Sequence, residues 1–217
     1  MSFAREGYPF IAIGVLLAGL GWVGVAAGIS GPWLRGIAGL LSVISILTIW
    51  FFRDPAPIIP ADAGAVVAPG QGRVMSISEV DELTFMGGTA RRITIFLSIF
   101  DVHVQRAPVS GSVEHRAYKP GKYLAAWNEK ASQDNEQSSI GISTPQGKVL
   151  VRQIAGLIAR RIVSYPSEGD DVVRGDRIGL IRFGSRVDLF IPLEWEVVSS
   201  VGDRVRVGSS VLARLPL

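Results

Sequence analysis

The chain has 217 residues, 48% of them hydrophobic, a formal charge of +3 and no cysteine. The lack of cysteine excludes disulfides, thiolate nucleophiles and cysteine-ligated zinc or iron–sulfur sites. A mean hydropathy of +0.34 is high for a soluble domain of this length, and the excess is concentrated at the N-terminus. No charged residue lies between Gly7 and Leu34, and after Arg35 a second apolar run covers Gly36 to Phe52. A bilayer core is spanned by about 20 apolar residues, so the first run is long enough and the second is near the limit. The pattern predicts a helical hairpin with both ends on one side of a membrane. A cleaved signal peptide is the alternative, with Ala26, Ala27 and Gly28 resembling a cleavage site. Against it, the apolar stretch is too long, Glu6 interrupts the basic flank, and a second apolar segment follows at once. Arg5 and Arg53 would then face the cytoplasm, whereas Arg35 lies in the connecting turn.

Arg53-Asp54-Pro55-Ala56-Pro57 ends the hydrophobic part with prolines that stop a helix. Two segments are therefore expected, a membrane-associated 1–55 and a β-rich 56–217. Short strands are predicted at Ala65–Val67, Val74–Ile77, Arg92–Phe100, Val149–Ala155, Arg177–Phe183, Arg186–Ile191 and Val211–Arg214. Tyr123 to Glu136 has helix-like composition and reads equally well as a long loop. Two repeats stand out. Ala68-Pro69-x-x-Gly72-x-Val74 recurs as Ala107-Pro108-x-x-Gly111-x-Val113, and Gly169-Asp170 with Gly175 recurs as Gly202-Asp203 with Gly208. Generic turn chemistry explains either pair alone; both together suggest a duplicated β-barrel or sandwich.

The basic residues are dispersed, with Arg91-Arg92 and Arg160-Arg161 as the adjacent pairs, and no aromatic-interleaved basic stripe points to nucleic acid. His103 and His115 lack metal-site spacing, so no metal is expected, and there is no phosphate-cradling loop. The strand ending at Phe100 delivers Asp101 and His103 two residues apart on one face. An Asp beside a His orients the ring and holds its charged form, which suits a general acid; a structural strand-end histidine is the alternative. In Leu180-Ile181-Arg182-Phe183-Gly184-Ser185-Arg186-Val187-Asp188-Leu189-Phe190, read as one strand, Ser185 shares a face with Ile181, Phe183, Val187 and Leu189, and Arg182, Arg186 and Asp188 share the other. A Gly-Ser pair there marks a bulge or a self-reacting bond. In the second case the Ser185 hydroxyl attacks the Gly184 carbonyl, which no Cβ hinders. The resulting ester eliminates to a dehydroalanine, which hydrolyses to a pyruvoyl group on a new N-terminus.

These residues, with Phe51-Phe52-Arg53-Asp54-Pro55, Phe100-Asp101-Val102-His103-Val104-Gln105-Arg106-Ala107-Pro108, Asn128-Glu129-Lys130-Ala131-Ser132, Asn135-Glu136, Gln153-Ile154-Ala155-Gly156 and Ala159-Arg160-Arg161-Ile162-Val163, resemble the short, membrane-associated form of the phosphatidylserine decarboxylase family. The resemblance spans nearly the whole chain. It implies a barrel-sandwich hybrid and a proenzyme that cuts itself between Gly184 and Ser185 into a β chain ending at 184 and an α chain 185–217. It further implies a pyruvoyl cofactor made from Ser185, phosphatidylserine in an anionic membrane as substrate, His103 as proton donor to the substrate carbon, and a position on the cytoplasmic face of the cell membrane. Self-association into a homo-oligomer is left open.

Two positions depart from the family pattern. Pro69-Gly70-Gln71-Gly72 carries an amide where relatives have an acidic residue, and Arg106 stands where longer relatives have a second histidine. The competing readings are a non-catalytic membrane-anchored hammerhead module, which lacks a carrier lysine near Ser185, and a processing-deficient lipid-binding homologue.

Overall fold

The computed structural model describes residues 2–29, 31–123, 134–156, 162–182 and 185–216. The chain divides into two compact units, Met1–Ala56 and Pro57–Leu217. In the first, β1 (Ser2–Phe3) and β2 (Arg53–Asp54) pair antiparallel and bracket two helices, α1 (Tyr8–Ala26) and α2 (Pro32–Phe51). Each helix has a proline in its first turn, where a missing N–H breaks no helical hydrogen bond. Both are apolar nearly all round, so size selects the contact face. A Cβ built on Gly21 would lie 3.0 Å from Ala38 Cβ, and one on Gly14 2.9 Å from Ser45 Oγ. Ala38 and Ser45 are buried, while Leu16, Leu20, Val23, Leu40 and Ile46 point outward, as in helix pairs that associate through small residues. Trp22 Nε1 donates to Ser42 Oγ across the pair at 3.0 Å. Both helices are long and apolar enough to cross a bilayer, with windows of mean hydropathy 2.1 and 1.9.

The second unit contains β3 (Ala65–Val67), β4 (Gly72–Glu82), β5 (Gly88–Leu97), β6 (Val104–Arg106), β7 (Gly111–Lys119), β8 (Gln137–Thr144), β9 (Gly147–Ala155), β10 (Ile162–Ser164), β11 (Asp171–Val172), β12 (Arg177–Ile181), β13 (Ser185–Ile191), β14 (Glu196–Val197), β15 (Arg204–Val205) and β16 (Val211–Arg214). Eight of these form a curled half-barrel in the order β11-β7-β8-β9-β13-β5-β4-β15, and two three-stranded sheets, β10-β12-β6 and β14-β16-β3, complete the domain. The core inside the curl includes Ile93, Ile95 and Leu97 from β5, Val187, Leu189 and Ile191 from β13, Val149 and Val151 from β9, and Ile140 and Ile142 from β8.

The expected duplication is visible bond by bond. Ser167 N donates to Asp170 Oδ2 and Gly169 N to Val113 O, each at 2.8 Å, and Ser200 N to Asp203 Oδ2 and Gly202 N to Val74 O repeat both at 2.8 Å. Gly169 and Gly202 have φ of 93° and 98°, a left-handed conformation that favours glycine. The turns lead into β11 and β15, which pair with Gly111-Ser112 of β7 and Gly72-Arg73 of β4 in matching register. The half-barrel is therefore two related four-strand halves joined where β9 meets β13.

The strands predicted at Arg177–Phe183 and Arg186–Ile191 form as β12 and β13, but the continuous strand face read across Leu180 to Phe190 does not. β12 ends at Ile181 in a three-stranded sheet, and β13 begins at Ser185 in the centre of the half-barrel. The chain changes sheets around the Gly-Ser pair, which local alternation does not reveal. The strand predicted to reach Phe100 stops at Leu97, because Ser98–Asp101 closes a turn in which Asp101 N donates to Ser98 O at 2.9 Å. β7 and β8 were not expected from the sequence: β7 is largely solvent-facing and β8 is rich in serine. Of the stretch Tyr123–Glu136, residues 124–133 lie outside the described residues.

Gly72 has a specific steric role. A Cβ there would sit 1.9 Å from the main-chain oxygen of Phe96, and backbone in a central sheet cannot give way by that much. Gly72→Ala should lower stability by at least about 2 kcal/mol, read from the urea midpoint in detergent. Gly88→Ala, with nothing within 4 Å of the added atom, should stay within about 0.5 kcal/mol.

Candidate active site

Ser185 opens β13 with its side chain fully buried, and its Oγ has no hydrogen-bond partner among the described residues. An orphaned buried hydroxyl costs about 1–3 kcal/mol, so a serine kept in this state needs an explanation other than stability. Leu97 of β5 and Ala155 of β9 are its cross-strand partners. Val187, two residues on, shares its face. Gly70 packs on the same surface, since a Cβ there would lie 3.4 Å from both Leu97 and Val187. The Pro69–Gly72 turn, with half-buried Gln71, therefore lies against the wall beside Ser185. Gly184 and Phe183 lie outside the described residues.

Asp101 and His103 reach this end of the sheet by two routes. Leu97, paired with Ser185, is followed by Ser98, whose N and Oγ donate to Asp101 Oδ2 at 2.9 and 2.7 Å. On the other side, Ile181 N donates to His103 O at 3.3 Å, and Ile181 is the last strand residue before the crossover to Ser185. His103 is fully buried, and its Nδ1 lies 3.0 Å from the main-chain oxygen of Asp101. A carbonyl partner requires the proton on Nδ1, which puts proton exchange on Nε2. The sequence reading assigned this orienting role to the Asp101 carboxylate. In the structure the carboxylate closes the Ser98–Asp101 turn and accepts from Arg204 Nη2 at 2.9 Å, while the carbonyl of the same residue holds the ring.

A buried amide chain supports the histidine from behind. Gln105 Nε2 donates to His103 O at 2.8 Å, Gln153 Nε2 to Gln105 Oε1 at 2.8 Å, and Ser164 Oγ to Gln153 Oε1 at 2.6 Å. Gln153 projects from the half-barrel towards β12, where a Cβ on Gly179 would lie 2.4 Å from its Nε2. On the far side of Ser185, Asn135 Nδ2 donates to Ala155 O at 2.7 Å. Gln105, Gln153, Asn135 and Arg204 were not singled out individually from the sequence. For Gln105 and Gln153 the available signal was an amide within an apolar run, whereas Asn135 lies in a polar stretch and was marked only by its motif.

Arg186 and Asp188, both buried, form a bidentate pair at 2.7 and 3.0 Å on the opposite face of β13, and Arg186 Nη2 also donates to Thr94 Oγ1 at 3.1 Å. Across from Asp188, Arg152 pairs with Glu82 at 2.8 Å. Burial pushes the Glu82 carboxyl up, but the N–H groups of Phe85 and Met86 together with Arg152 hold it below the ordinary range. Arg106 turns to the Gly175 carbonyl at 2.8 Å and lines a separate cleft of about 610 Å³ with Tyr165, Asp176 and Arg177. His115 stacks on Phe85 with ring centroids 5.5 Å apart. Asn128–Ser132, including Lys130, and Ala159–Arg161 lie outside the described residues.

Comparison with known proteins assigns the chain first to a class of enzymes, the decarboxylases, and within it to one family. The sequence profile of phosphatidylserine decarboxylase matches residues 44–213. Proteins named phosphatidylserine decarboxylase proenzyme are similar over most of their length. The one from Symbiobacterium thermophilum is 47% identical over 98% of this chain and 95% of its own, and that from Salinibacter ruber 48% identical over 86% and 82%. A third, from Azorhizobium caulinodans, is 46% identical over 96% and 87%. The chain belongs to the phosphatidylserine decarboxylase family, as its motifs imply.

The buried ion pair yields a stability test. Asp188→Asn leaves the Arg186 charge buried without its counter-ion and should cost about 3–5 kcal/mol. The double change Arg186→Met, Asp188→Leu should recover most of that loss in the same denaturation experiment.

Proposed function

We propose that the chain cuts itself between Gly184 and Ser185 and, in the cut form, converts phosphatidylserine to phosphatidylethanolamine and carbon dioxide at the cytoplasmic face of the cell membrane. The observation that supports this most directly is the buried Ser185 Oγ at the start of a central strand, without a hydrogen-bond partner among the described residues. In the cut, Oγ attacks the Gly184 carbonyl and the amide nitrogen leaves it, giving an ester. Elimination then releases Gly184 as a carboxylate and leaves a dehydroalanine, whose hydrolysis expels ammonia and gives the pyruvoyl group. The surroundings would fit that group, because conversion would remove an O–H donor that has no partner among the described residues, and Leu97, Val187 and Ala155 would hold the compact carbonyl group that replaces it.

When present, the pyruvoyl group supplies an electrophilic carbonyl that takes up the substrate amine and accepts the electron pair released with carbon dioxide. His103, with Nδ1 tied to the Asp101 carbonyl, holds the proton on Nε2 that is delivered to the substrate carbon. The apolar wall excludes water while the carboxylate loses its charge. Asp101 acts through the turn and the carbonyl it positions. β13 is hydrogen-bonded on both sides, to β5 and to β9, and the later strands β14, β15 and β16 join two sheets, so residues 185–217 stay bound after the cut. The apolar hairpin provides the membrane attachment.

Gln71 stands in the turn beside this wall, and an amide is not a base. Proton removal from Oγ therefore falls to His103, through Nε2 in its unprotonated form, with Asp101 acting through the carbonyl that holds the ring, and self-cleavage is expected to be slow. Gln71→Asp should accelerate the appearance of two chains in a time course after denaturant release; an unchanged rate would exclude the turn from processing.

Intact mass spectrometry should show the wild type as two chains split after Gly184, the shorter one blocked by pyruvoyl, and Ser185→Ala as one chain. A single uncut wild-type chain would refute the enzyme reading and favour a lipid-binding homologue. In the cleaved fraction of His103→Ala, carbon dioxide release should fall about 10²–10⁴-fold; full release would remove His103 as the acid.

A further inference from the structure

The turn that carries Asp101 also carries a surface that the chemistry does not use. Ile99 and Phe100 point outward, 45% and 61% exposed. They cannot readily fold inward, because Asp101 locks the turn through its own N–H and through its carboxylate contacts to Ser98 N and Oγ. Beside them runs β15, an edge of the half-barrel. Arg204 donates to Asp101 while its side chain stays 65% exposed, and exposed Arg73 faces it across the β4 pairing. Arg206 follows on the same side, since Val205 and Val207 are buried and Arg204 and Arg206 are exposed. The turn before β15 is bonded to Val74 and presents Val201, 61% exposed.

Among the described residues, the acidic groups on these turns are Asp101, buried against Arg204, and Asp203, which accepts from Ser200 N at 2.8 Å. Three guanidinium groups against two carboxylates leave the patch net positive. Apolar side chains held at the tips of rigid turns and ringed by arginines match the interface of an anionic bilayer. The tips enter the acyl boundary, and the guanidiniums pair with lipid phosphates.

We propose that Ile99, Phe100 and Val201, ringed by Arg73, Arg204 and Arg206, form a docking surface by which the catalytic domain itself seats on an anionic phospholipid bilayer, in addition to the helical hairpin. Its benefit to catalysis rests on the lipid-substrate reading above: Asp101 and His103 sit on the same segment, so seating the turn brings the site to the depth of lipid head groups.

The chain has no cysteine, so a single introduced cysteine carries an environment-sensitive fluorophore without background. In the full-length chain reconstituted into phosphatidylcholine–phosphatidylglycerol vesicles, a probe on Phe100→Cys should shift to the blue and be quenched by nitroxide-labelled lipid. A probe on Leu83→Cys, at a position 76% exposed on another hairpin, should remain water-exposed. A Phe100 probe as wet as the Leu83 probe overturns the proposal, and protection by an added soluble protein but not by vesicles would assign the patch to a protein partner instead. As a second readout, the double variant Ile99→Ser, Phe100→Ser should release carbon dioxide about tenfold more slowly from vesicle-borne phosphatidylserine, a change of about 1.4 kcal/mol. Its rate on monomeric short-chain phosphatidylserine should match the wild type, and equal loss on both substrates overturns the docking role. A wild type that releases no carbon dioxide would count against the functional reading alone, and the fluorescence would still decide the surface.

Discussion

The catalytic domain depends on the antiparallel pairing of β9 with β13. Each strand belongs to one of the two duplicated halves, and their pairing is the seam that makes one half-barrel of two four-strand units. β13 also pairs with β5, so every residue from Ser185 to Ile191 is buried. A strand enclosed in this way has no solvent-facing side, and any polar residue on it must find its partner inside the protein. Arg186 and Asp188 find one another. Ser185 Oγ finds no partner among the described residues, and that difference marks it.

The same seam explains how a chain could be cut beside its most central strand and stay folded. Stability resides in the rungs of β13 against two neighbours and in the short strands that follow it, none of which needs the backbone bond before Ser185. The site assembled at the end of the seam is costly by the standards of a core: a buried hydroxyl with no partner among the described residues, a buried histidine and a chain of buried amides. Such local departures from good packing are expected where a fold serves chemistry rather than stability. The amide chain from Ser164 through Gln153 and Gln105 to the His103 carbonyl ties the three-stranded sheet to the half-barrel. It thereby fixes the segment bearing the histidine relative to the strand bearing the serine.

Much of the fold was legible in the chain. The hairpin followed from two uncharged runs, and most predicted strands formed within a few residues of their expected ends. The repeats around Gly169 and Gly202 proved to be equivalent turns, each closed by its own aspartate, and those around Ala68 and Ala107 take equivalent bonds, their carbonyls accepting from Gly208 N and Gly175 N at 2.8 and 2.9 Å. β7 and β8 escaped notice because polar, serine-rich stretches look like loops until a neighbouring strand satisfies their backbone. The two strands flanking Gly184-Ser185 were foreseen, but the common face read across them was a false continuity: alternation persists from Leu180 to Phe190 although β12 and β13 belong to different sheets.

The sequence by itself determined the apolar hairpin, the duplicated strand–turn plan, the family, and Ser185, His103 and Asp101 as the residues of interest, since these rest on composition and on motifs a few residues long. Only the tertiary structure decided that the Asp101 carbonyl rather than its carboxylate holds the ring, that Arg204 binds that carboxylate from 103 positions away, and that Gln105 and Gln153 meet from 48 apart. It also decided that the serine hydroxyl is buried with no hydrogen-bond partner among the described residues. Local pattern says which side of a strand a residue takes, but its hydrogen-bond partners come from distant segments that only the closed half-barrel brings together.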